Sequence, residues 1–308
     1  MDHEAWIRSR TGATAARLDR PIQSLWQGYG RIERWRIDGV RAQTVILKVV
    51  CPPSGCSIGH VRKLRSYAVE AAFYEHLQGL AQSQPRTAAL HGHAVVGPER
   101  WLLLEDLDAS DFSRRCRHLT APDLHAVLDW LAALHGRFLG CEVPRLWPRG
   151  TYWHLATRTE EWARMPAGPL RDAASTLDAA LASCPVQTLV HGDAKPANFC
   201  FGPEPGAPVA AVDFQYVGPG IGLVDVAYLV GCMGRRWCAV HMEEALEHYF
   251  ACLHRHAPGA APQAEAAWRP LWPVAWADFA RFMAGWSGED WRDDPTTAAM
   301  VRAALAET

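Results

Sequence analysis

The chain has 308 residues, of which 49% are hydrophobic and 21% charged, and its formal net charge is −2. This length and composition are those of a globular protein with one large domain or two lobes, not of a disordered or fibrous chain. A net charge near zero gives no reason to expect nucleic acid or an anionic membrane surface as a partner.

The lack of an apolar segment for secretion or membrane insertion, together with the scattered cysteines, predicts a cytoplasmic protein. The opening residues, MDHEAW, contain no apolar segment of the kind that directs secretion. The most apolar stretch, residues 221–233, is shorter than the roughly 20 residues that span a bilayer, and it carries Asp225. Nine scattered cysteines without CxxC spacing are predicted to be reduced and mostly buried thiols.

The first part of the chain is predicted to form a short helix and an antiparallel meander. Residues 2–10 can form a helix with Trp6 and Ile7 on its apolar side. Strands are then predicted over residues 22–26, 31–37 and 40–50. The dipeptide Asp38-Gly39 predicts a two-residue hairpin turn between the second and third of these strands.

A glycine-containing turn and a lysine occupy this meander. Glycines can let backbone N–H groups approach phosphate oxygens, although Gly28 and Gly30 taken alone are better explained as a plain hairpin turn. Lys48 lies near the end of an apolar strand, where a lysine is seldom buried without a partner. A functional lysine that reaches nucleotide phosphates is therefore favoured.

A helix is predicted next, over residues 61–80, because its apolar residues recur at helical spacing. It carries Glu70 and Glu75, and either carboxylate could pair with Lys48. Two further strands are predicted over residues 88–96 and 101–104. The loop after the second of these strands contains Glu105.

The second half of the chain is predicted to be mainly helical, over residues 122–139, 152–165, 170–183, 223–233, 243–256, 268–286 and 296–306. The helix over residues 268–286 has aromatic residues spaced near four apart, which indicates a buried stripe. An alternative is that this helix lines an acceptor pocket. The acidic run at residues 289–294 would suit a polycationic acceptor, although a solvated loop explains it more simply.

Two carboxylates and one amide lie at the ends of short apolar runs in the middle of the chain. His191-Gly192-Asp193 follows one such run, and Asn198 comes five residues after Asp193. Asp213 ends a later run, and loops at strand ends could present these side chains to a common pocket. Phosphoryl transfer needs this set: one carboxylate accepts a hydroxyl proton, while the amide and the second carboxylate hold magnesium against phosphates.

The pattern His191-Gly192-Asp193 with Asn198 and then Asp213-Phe214-Gln215 resembles the aminoglycoside phosphotransferase/choline kinase-like superfamily of small-molecule kinases, nearest its ecdysteroid-kinase-like branch. The resemblance implies an α+β protein with the two-lobed protein-kinase-like fold. An antiparallel sheet and one helix would form the N-terminal lobe, and the C-terminal lobe would be mainly helical.

The expected lobe boundaries are residues 1–107, with a hinge at residues 104–107, and residues 108–308. The chain departs from the protein kinases at three points. The glycine turn has no third glycine at kinase spacing, and Gln215 stands where protein kinases have the glycine of Asp-Phe-Gly. No Ala-Pro-Glu motif follows Asp213, which argues against a protein kinase.

The resemblance also implies roles for individual residues. Asp193 would be the catalytic base or would orient the acceptor hydroxyl, and Asn198 and Asp213 would bind Mg²⁺. Lys48 would bind the phosphates of ATP. Glu70, which stands three residues before an aromatic pair, is chosen over Glu75 as the partner that positions Lys48.

Further roles are implied around the catalytic loop and the hinge. His191 would support the loop through hydrogen bonds, and Lys195 would contact the transferring phosphate unless it is only a surface lysine. Backbone groups at the hinge, with Glu105 and Leu107 as candidates, would hold the adenine edge. Asp225 would brace the backbone of the loop. His135 is expected to be a satisfied core histidine.

The predicted function is ATP- and Mg²⁺-dependent transfer of the γ-phosphate to a hydroxyl of a small molecule. A non-catalytic, nucleotide-binding pseudokinase is one alternative, and an aminoglycoside-type antibiotic kinase is another if the acceptor is polycationic. A metal-dependent hydrolase that uses His191, Asp193 and Asp213 would leave Lys48 unexplained. Acceptor identity, ATP against GTP and oligomeric state stay open, and the many tryptophans favour an apolar or amphipathic acceptor.

Overall fold

The computed structural model describes residues 2–53, 58–78, 85–287 and 294–307. Its contacts divide the chain into two compact units. The sheet unit comprises Met1–Arg115, Cys200–Glu204 and Pro208–Gln215. The helical unit comprises Cys116–Phe199, Pro205–Ala207 and Tyr216–Thr308.

The sheet unit is built on a five-stranded antiparallel sheet with the strand order β1-β2-β3-β5-β4. Its strands are β1 (Ala15–Ser24), β2 (Gly30–Asp38), β3 (Thr44–Val50), β4 (Leu90–Val96) and β5 (Glu99–Glu105). Its helices are α1 (His3–Thr11) and α2 (Ile58–Gln78). The early helix and the long helix expected from the sequence are thus confirmed.

The central strand β3 explains how Lys48 comes to lie under α2. Side chains alternate between the two faces of a strand. Leu47 and Val49 are fully buried in one cluster with Trp6 and Ile7 of α1. Lys48 therefore points to the opposite face, where α2 packs, and the strand is buried on both faces, which is why it is almost wholly apolar.

Two details of the meander differ from the sequence prediction. β1 begins at Ala15, not near residue 22, and it includes Pro21, which an edge strand tolerates because one side of it needs no N–H donors. The two-residue hairpin at Asp38-Gly39 is wrong. Asp38 still belongs to β2, where its carbonyl accepts from the Thr14 N–H, and the connection to β3 spans residues 39–43.

The helical unit contains nine helices within its described residues: α3 (Ala121–Arg137), α4 (Thr159–Arg164), α5 (Pro169–Asp172), α6 (Ala174–Ser183), α7 (Leu223–Gly231), α8 (Arg235–His256), α9 (Ala261–Trp268), α10 (Trp272–Trp286) and α11 (Pro295–Glu307). Two short sheets complete the chain, one pairing β6 (Thr188–Val190) with β9 (Gly218–Gly220) and the other pairing β7 (Phe199–Phe201) with β8 (Val209–Ala211).

Three predicted helices are divided or shortened. The helix expected over residues 268–286 is α9, a 3₁₀ turn and α10, because Pro270 and Pro273 lack the N–H that a continuous helix requires. The helix expected over residues 170–183 is divided at Ala173 into α5 and α6. The helix expected over residues 152–165 begins only at α4, since Thr157 Oγ1 donates to nearby backbone carbonyls.

The aromatic stripe of α10 is buried, as its spacing predicts, except at its end. Trp272, Trp276, Phe279 and Phe282 are all at most 3% exposed, whereas Trp286 is 53% exposed. Most of the acidic run at residues 289–294 lies outside the described residues, as does Cys56. The other eight cysteines are all free. No helix in the described part of the chain is long and apolar enough to cross a membrane.

Candidate active site

A buried ion pair occupies the face of the sheet that α2 covers. Lys48 Nζ lies 2.9 and 2.8 Å from the two carboxylate oxygens of Glu70, and both side chains are almost fully buried. Burial alone would lower the pKa of Lys48, but the charges of Glu70 and Asp213 outweigh it and raise that pKa. Lys48 therefore carries its positive charge in the neutral pH range.

The second glutamate of α2 has a different partner. Glu75 Oε1 lies 3.2 Å from His93 Nδ1 of β4. Lys48 and His93 both stand opposite Leu102 of β5, so the partners of Glu70 and Glu75 lie in one row across the sheet. The Lys48 partner is thus Glu70.

Asp213 lies close to this ion pair within the sheet unit. Its Oδ1 is 3.5 Å from Lys48 Nζ, and its side chain is 33% exposed. Its backbone has a φ of 67°, in the left-handed region that few residues other than glycine adopt but that aspartate tolerates. Phe214, the next residue, is fully buried and packs on Phe73 and Tyr74 of α2 at ring distances of 4.6 and 5.3 Å.

Gln215 links Asp213 to α2. Its side-chain amide donates to Asp213 Oδ1 at 2.5 Å. Its carbonyl oxygen accepts hydrogen bonds from Lys63 Nζ at 2.7 Å and from Ser66 Oγ at 3.1 Å. A glycine could make none of these contacts, so the departure from Asp-Phe-Gly gives this chain an extra fixed contact to the Asp213 carboxylate.

The glycines of the first turn have local structural reasons for being glycine. Gly30 has a φ of 141°, and a Cβ there would lie 2.0 Å from the Val49 carbonyl of β3. Gly28 has a φ of 74°, and its N–H donates to the Leu25 carbonyl inside the turn. Phosphate binding by this turn stays a prediction.

Residues of the expected hinge form hydrogen bonds with other residues of the sheet unit. The N–H of Glu105 donates to the Ala89 carbonyl, and its carboxylate pairs with Arg86 and accepts from Ser110 Oγ. The Leu107 carbonyl accepts from the Phe112 N–H. Adenine binding by Glu105 and Leu107 also stays a prediction.

The catalytic loop predicted from the sequence lies wholly in the helical unit. Asp193 Oδ2 accepts hydrogen bonds from Lys195 Nζ at 2.8 Å and from the side-chain amide of Asn198 at 2.9 Å. The same amide reaches the Asp193 carbonyl at 2.8 Å. Asp193 and Asn198 are buried, whereas the side chain of Lys195 is 40% exposed. The loop therefore brings these three predicted residues together.

His191 and Gly192 shape the start of the loop. The buried ring of His191 accepts the Asp193 N–H through Nδ1 at 3.3 Å and packs near Trp130 and Phe199. Gly192 has a φ of 81°, and a Cβ there would lie 2.2 Å from the Tyr216 carbonyl. Only glycine fits this turn, and the structural contact expected of His191 is present.

Asp225 holds the same loop from α7. Its two carboxylate oxygens accept the N–H groups of His191 and Gly192 at 2.6 and 2.9 Å, as the sequence resemblance implied. His135 Nε2 lies 3.2 Å from Asp225, and His135 Nδ1 lies 2.7 Å from the Tyr249 hydroxyl.

Both ring nitrogens of His135 have a hydrogen-bond partner. A carboxylate can only accept, so Nε2–H donates to Asp225. Nδ1 shares the other hydrogen bond with the Tyr249 hydroxyl, so neither ring nitrogen is left unsatisfied. His135 is thus the satisfied core histidine that the sequence predicted, with a direct link to the loop through Asp225.

Two tyrosines that were not predicted from the sequence lie beside this loop. The hydroxyls of Tyr152 and Tyr228 are 3.1 Å apart, and the Tyr152 N–H donates to the Gly192 carbonyl. Burial raises the pKa of Tyr152 to about 12 and also raises the pKa of Tyr228, and the charge of Asp193 adds to both shifts. Both phenols are therefore neutral hydrogen-bonding groups near Asp193.

The residues proposed for magnesium have suitable donor atoms. Because Asn198 gives its NH₂ group to Asp193, its carbonyl oxygen is the atom left for a cation. Asp213 is a partly exposed carboxylate. Magnesium prefers such hard oxygen ligands, usually one or two side chains together with phosphate oxygens. Across the described ranges no group of three or more His, Cys, Asp or Glu side chains could hold a metal ion.

Comparison with protein families assigns the chain. A family model described as the phosphotransferase enzyme family, APH, matches residues 22–271, which is most of the sequence. The chain belongs to this family. It is thus a member of the aminoglycoside phosphotransferase/choline kinase-like superfamily of small-molecule kinases, as the motifs predicted. The narrower placement near the ecdysteroid-kinase-like branch stays a prediction.

Solved structures show the same fold at low sequence identity. A protein assigned as a fructosamine-3-kinase, from Thermobifida fusca, is 17% identical with a TM-score of 0.55, and 99% of each chain is covered. An ethanolamine kinase from Plasmodium vivax is 12% identical with a TM-score of 0.50, covering 94% of this chain and 82% of that one. The kinase-like α+β fold is therefore confirmed. No curated protein sequence matches this phosphotransferase.

Proposed function

We propose that this phosphotransferase moves the γ-phosphate of ATP to a hydroxyl group of a small molecule, with Asp193 as the base. One observation carries the proposal. Asp193 is buried and held at the carboxylate by Lys195 and Asn198, while the backbone on its N-terminal side is held by Asp225. A carboxylate fixed in this way can accept a proton without moving.

The reaction forms one oxygen–phosphorus bond and breaks another. As the acceptor oxygen bonds to the γ-phosphorus, its proton passes to Asp193 and ADP leaves with the electrons of the broken bond. Lys195, which contacts Asp193, is placed to offset negative charge near the loop. Lys48, kept cationic by Glu70, binds phosphate oxygens in the sheet unit.

Asp213 and Asn198 are the proposed magnesium ligands. Magnesium, when bound, neutralises charge on the phosphates. Asp213 is kept in place by the amide of Gln215, and Asn198 is kept in place by its two bonds to Asp193. The proposed acceptor is a small molecule, because the fructosamine-3-kinase and ethanolamine kinase that share the fold are named for such substrates.

Titration calorimetry with Mg-ATP tests the nucleotide half of the proposal. We expect the wild-type protein to bind Mg-ATP and Asp213→Ala to lose the magnesium dependence of binding. Lys48→Met should weaken binding, since a cation that faces phosphates is lost. Glu75→Gln is the matched control, because this carboxylate of the same helix pairs with His93 instead. A wild-type protein that binds no nucleotide would contradict the proposal.

A further inference from the structure

Three aromatic rings of the helical unit surround one arginine. The guanidinium carbon of Arg158 lies 4.8 Å from the ring centre of Tyr152, 5.0 Å from that of Trp286 and 5.8 Å from that of Phe282. Arg158 is only 7% exposed. We call these three rings the cage.

Close packing between α4 and α10 brings Arg158 to the cage. A Cβ on Gly285 would lie 2.3 Å from the Glu161 carbonyl, so a glycine is needed where the two helices meet. Arg158 Nε donates to the Tyr152 carbonyl at 2.9 Å, and Arg158 Nη1 lies 3.4 Å from Glu161 Oε1. The side chain is thus held inside the cage by its own hydrogen bonds.

The cage adjoins the catalytic loop. Tyr152 forms one of its walls, and the N–H of the same residue donates to the Gly192 carbonyl. The Tyr152 hydroxyl lies next to that of Tyr228, on α7 one turn after Asp225. Trp286, at the other side of the cage, is 53% exposed, whereas Arg158 inside the cage is buried. The cage therefore lies between solvent and the loop that carries Asp193.

Groups of aromatic rings attract cations through their negative faces, and proteins use such cages to bind ammonium ligands. Here the chain fills the cage with its own cation. We propose that Arg158 occupies a cation-binding cage beside the catalytic loop and excludes ammonium groups of acceptors from it. This inference rests on the proposed function, because it concerns the acceptor of the same site.

The consequence concerns the class of acceptor. A second cation would meet the charge of Arg158 and find the ring faces already covered. The acceptor accordingly presents a neutral or anionic group to this part of the site. Removing Arg158 would leave three ring faces and the buried carboxylate of Glu161, which together favour a cation.

Equilibrium dialysis with ¹⁴C-tetramethylammonium tests this without nucleotide or turnover, so its outcome is independent of the kinase proposal. The wild-type protein should bind no tetramethylammonium at millimolar concentration. Arg158→Ala should bind it with a dissociation constant at least about tenfold below that wild-type limit, the effect expected of a desolvated cation–π site. The double variant Arg158→Ala/Trp286→Leu should lose that gain.

Arg164→Ala is the matched control. Arg164 also pairs with Glu161, at 3.7 Å, but its side chain is 63% exposed. The Arg164→Ala variant loses one positive charge near Glu161 but keeps Arg158 in the cage, so its tetramethylammonium binding should equal that of the wild-type protein. Equal binding by the wild-type protein and Arg158→Ala would overturn the proposal, as would no binding by Arg158→Ala with a native near-ultraviolet spectrum.

A second measurement covers the case in which Arg158→Ala fails to fold. In wild-type protein labelled with ¹⁵N and ¹³C, the side-chain protons of Arg158 should be shifted upfield by the three rings, relative to those of Arg164. Arg158→Lys supplies the assignment. Arg158 signals at the position of a solvated arginine would show that the guanidinium does not occupy the cage.

Discussion

Removing Glu70 should destabilise the protein strongly, because it would leave the buried ammonium of Lys48 without its main partner. Both residues are at most 6% exposed, and the pair makes two hydrogen bonds. Breaking such a buried pair from one side costs about 3–5 kcal/mol. Since Asp213 remains 3.5 Å from Lys48, we expect Glu70→Ala to lie near the lower end, about 3 kcal/mol.

Glu75 provides a control on the same helix. Its carboxylate is 34% exposed and pairs with a histidine, so Glu75→Ala should cost about 0–1 kcal/mol. The double variant Lys48→Met/Glu70→Leu should recover most of the stability lost in Glu70→Ala, because apolar replacement of both partners leaves no buried charge. It should nevertheless lose nucleotide binding.

Urea unfolding followed by tryptophan fluorescence measures all three variants. Equal losses in Glu70→Ala and Glu75→Ala would refute the assignment of Glu70 as the buried partner. A double variant as unstable as Glu70→Ala would refute the reasoning about the unpaired charge.

Three further predictions concern two contacts that support the site and one buried histidine. Gln215→Leu should weaken Mg-ATP binding several-fold in calorimetry, because Asp213 loses an amide donor. Tyr249→Phe should lower the unfolding free energy by about 1–3 kcal/mol and speed hydrogen exchange in the catalytic loop, because the buried Nδ1 of His135 loses its hydrogen-bond partner. Burial lowers the pKa of His154 to about 4 from its usual 6.5, with Arg149 adding to the shift. Its neutral form therefore stabilises the fold fully above pH 6.5 and less as pH falls towards 4, by at most about 3 kcal/mol, and His154→Gln should flatten that part of the pH profile of urea midpoints.

Each of these has a contrary result. Wild-type affinity for Mg-ATP in Gln215→Leu would mean that the amide contact does not position Asp213. Wild-type protection from hydrogen exchange in Tyr249→Phe would show that Tyr249 does not stabilise the catalytic loop. A His154→Gln variant that loses stability between pH 6.5 and 4 as steeply as wild type would show that another group titrates there.

Local pattern was enough to predict the catalytic loop. His191, Asp193 and Asn198 lie within eight residues, and their mutual contacts depend mainly on the loop itself. The burial of Lys48 could also be predicted from local sequence, because it is a single charged residue in an apolar strand. Such short-range features depend little on how distant segments pack.

The choice between Glu70 and Glu75 required the sheet order. Which carboxylate meets Lys48 depends on the register that places His93 and Lys48 opposite the same residue, Leu102. That register joins three strands distant in sequence. The sequence resemblance pointed to Glu70, but no local pattern could exclude the alternative.

The roles of Tyr249 and Arg158 could not be predicted for a similar reason. Tyr249 and His135 are 114 residues apart in the sequence. Arg158 precedes α4, whereas Trp286 ends α10. Tyr249 lies among the regularly spaced buried residues of α8, so its position in the sequence indicates only a core residue. Its hydrogen bond to His135 depends on the packing of α3 against α8.

Transfer of ³²P from the γ-position of Mg-ATP to a pooled panel of small alcohols tests the central claim most directly, with Asp193→Ala in parallel. The panel should include neutral, anionic and ammonium-bearing members. The account predicts a labelled product with wild type and a loss of about 10²–10⁴-fold in rate with Asp193→Ala. Equal rates of transfer by both proteins would contradict the role of Asp193 as the base.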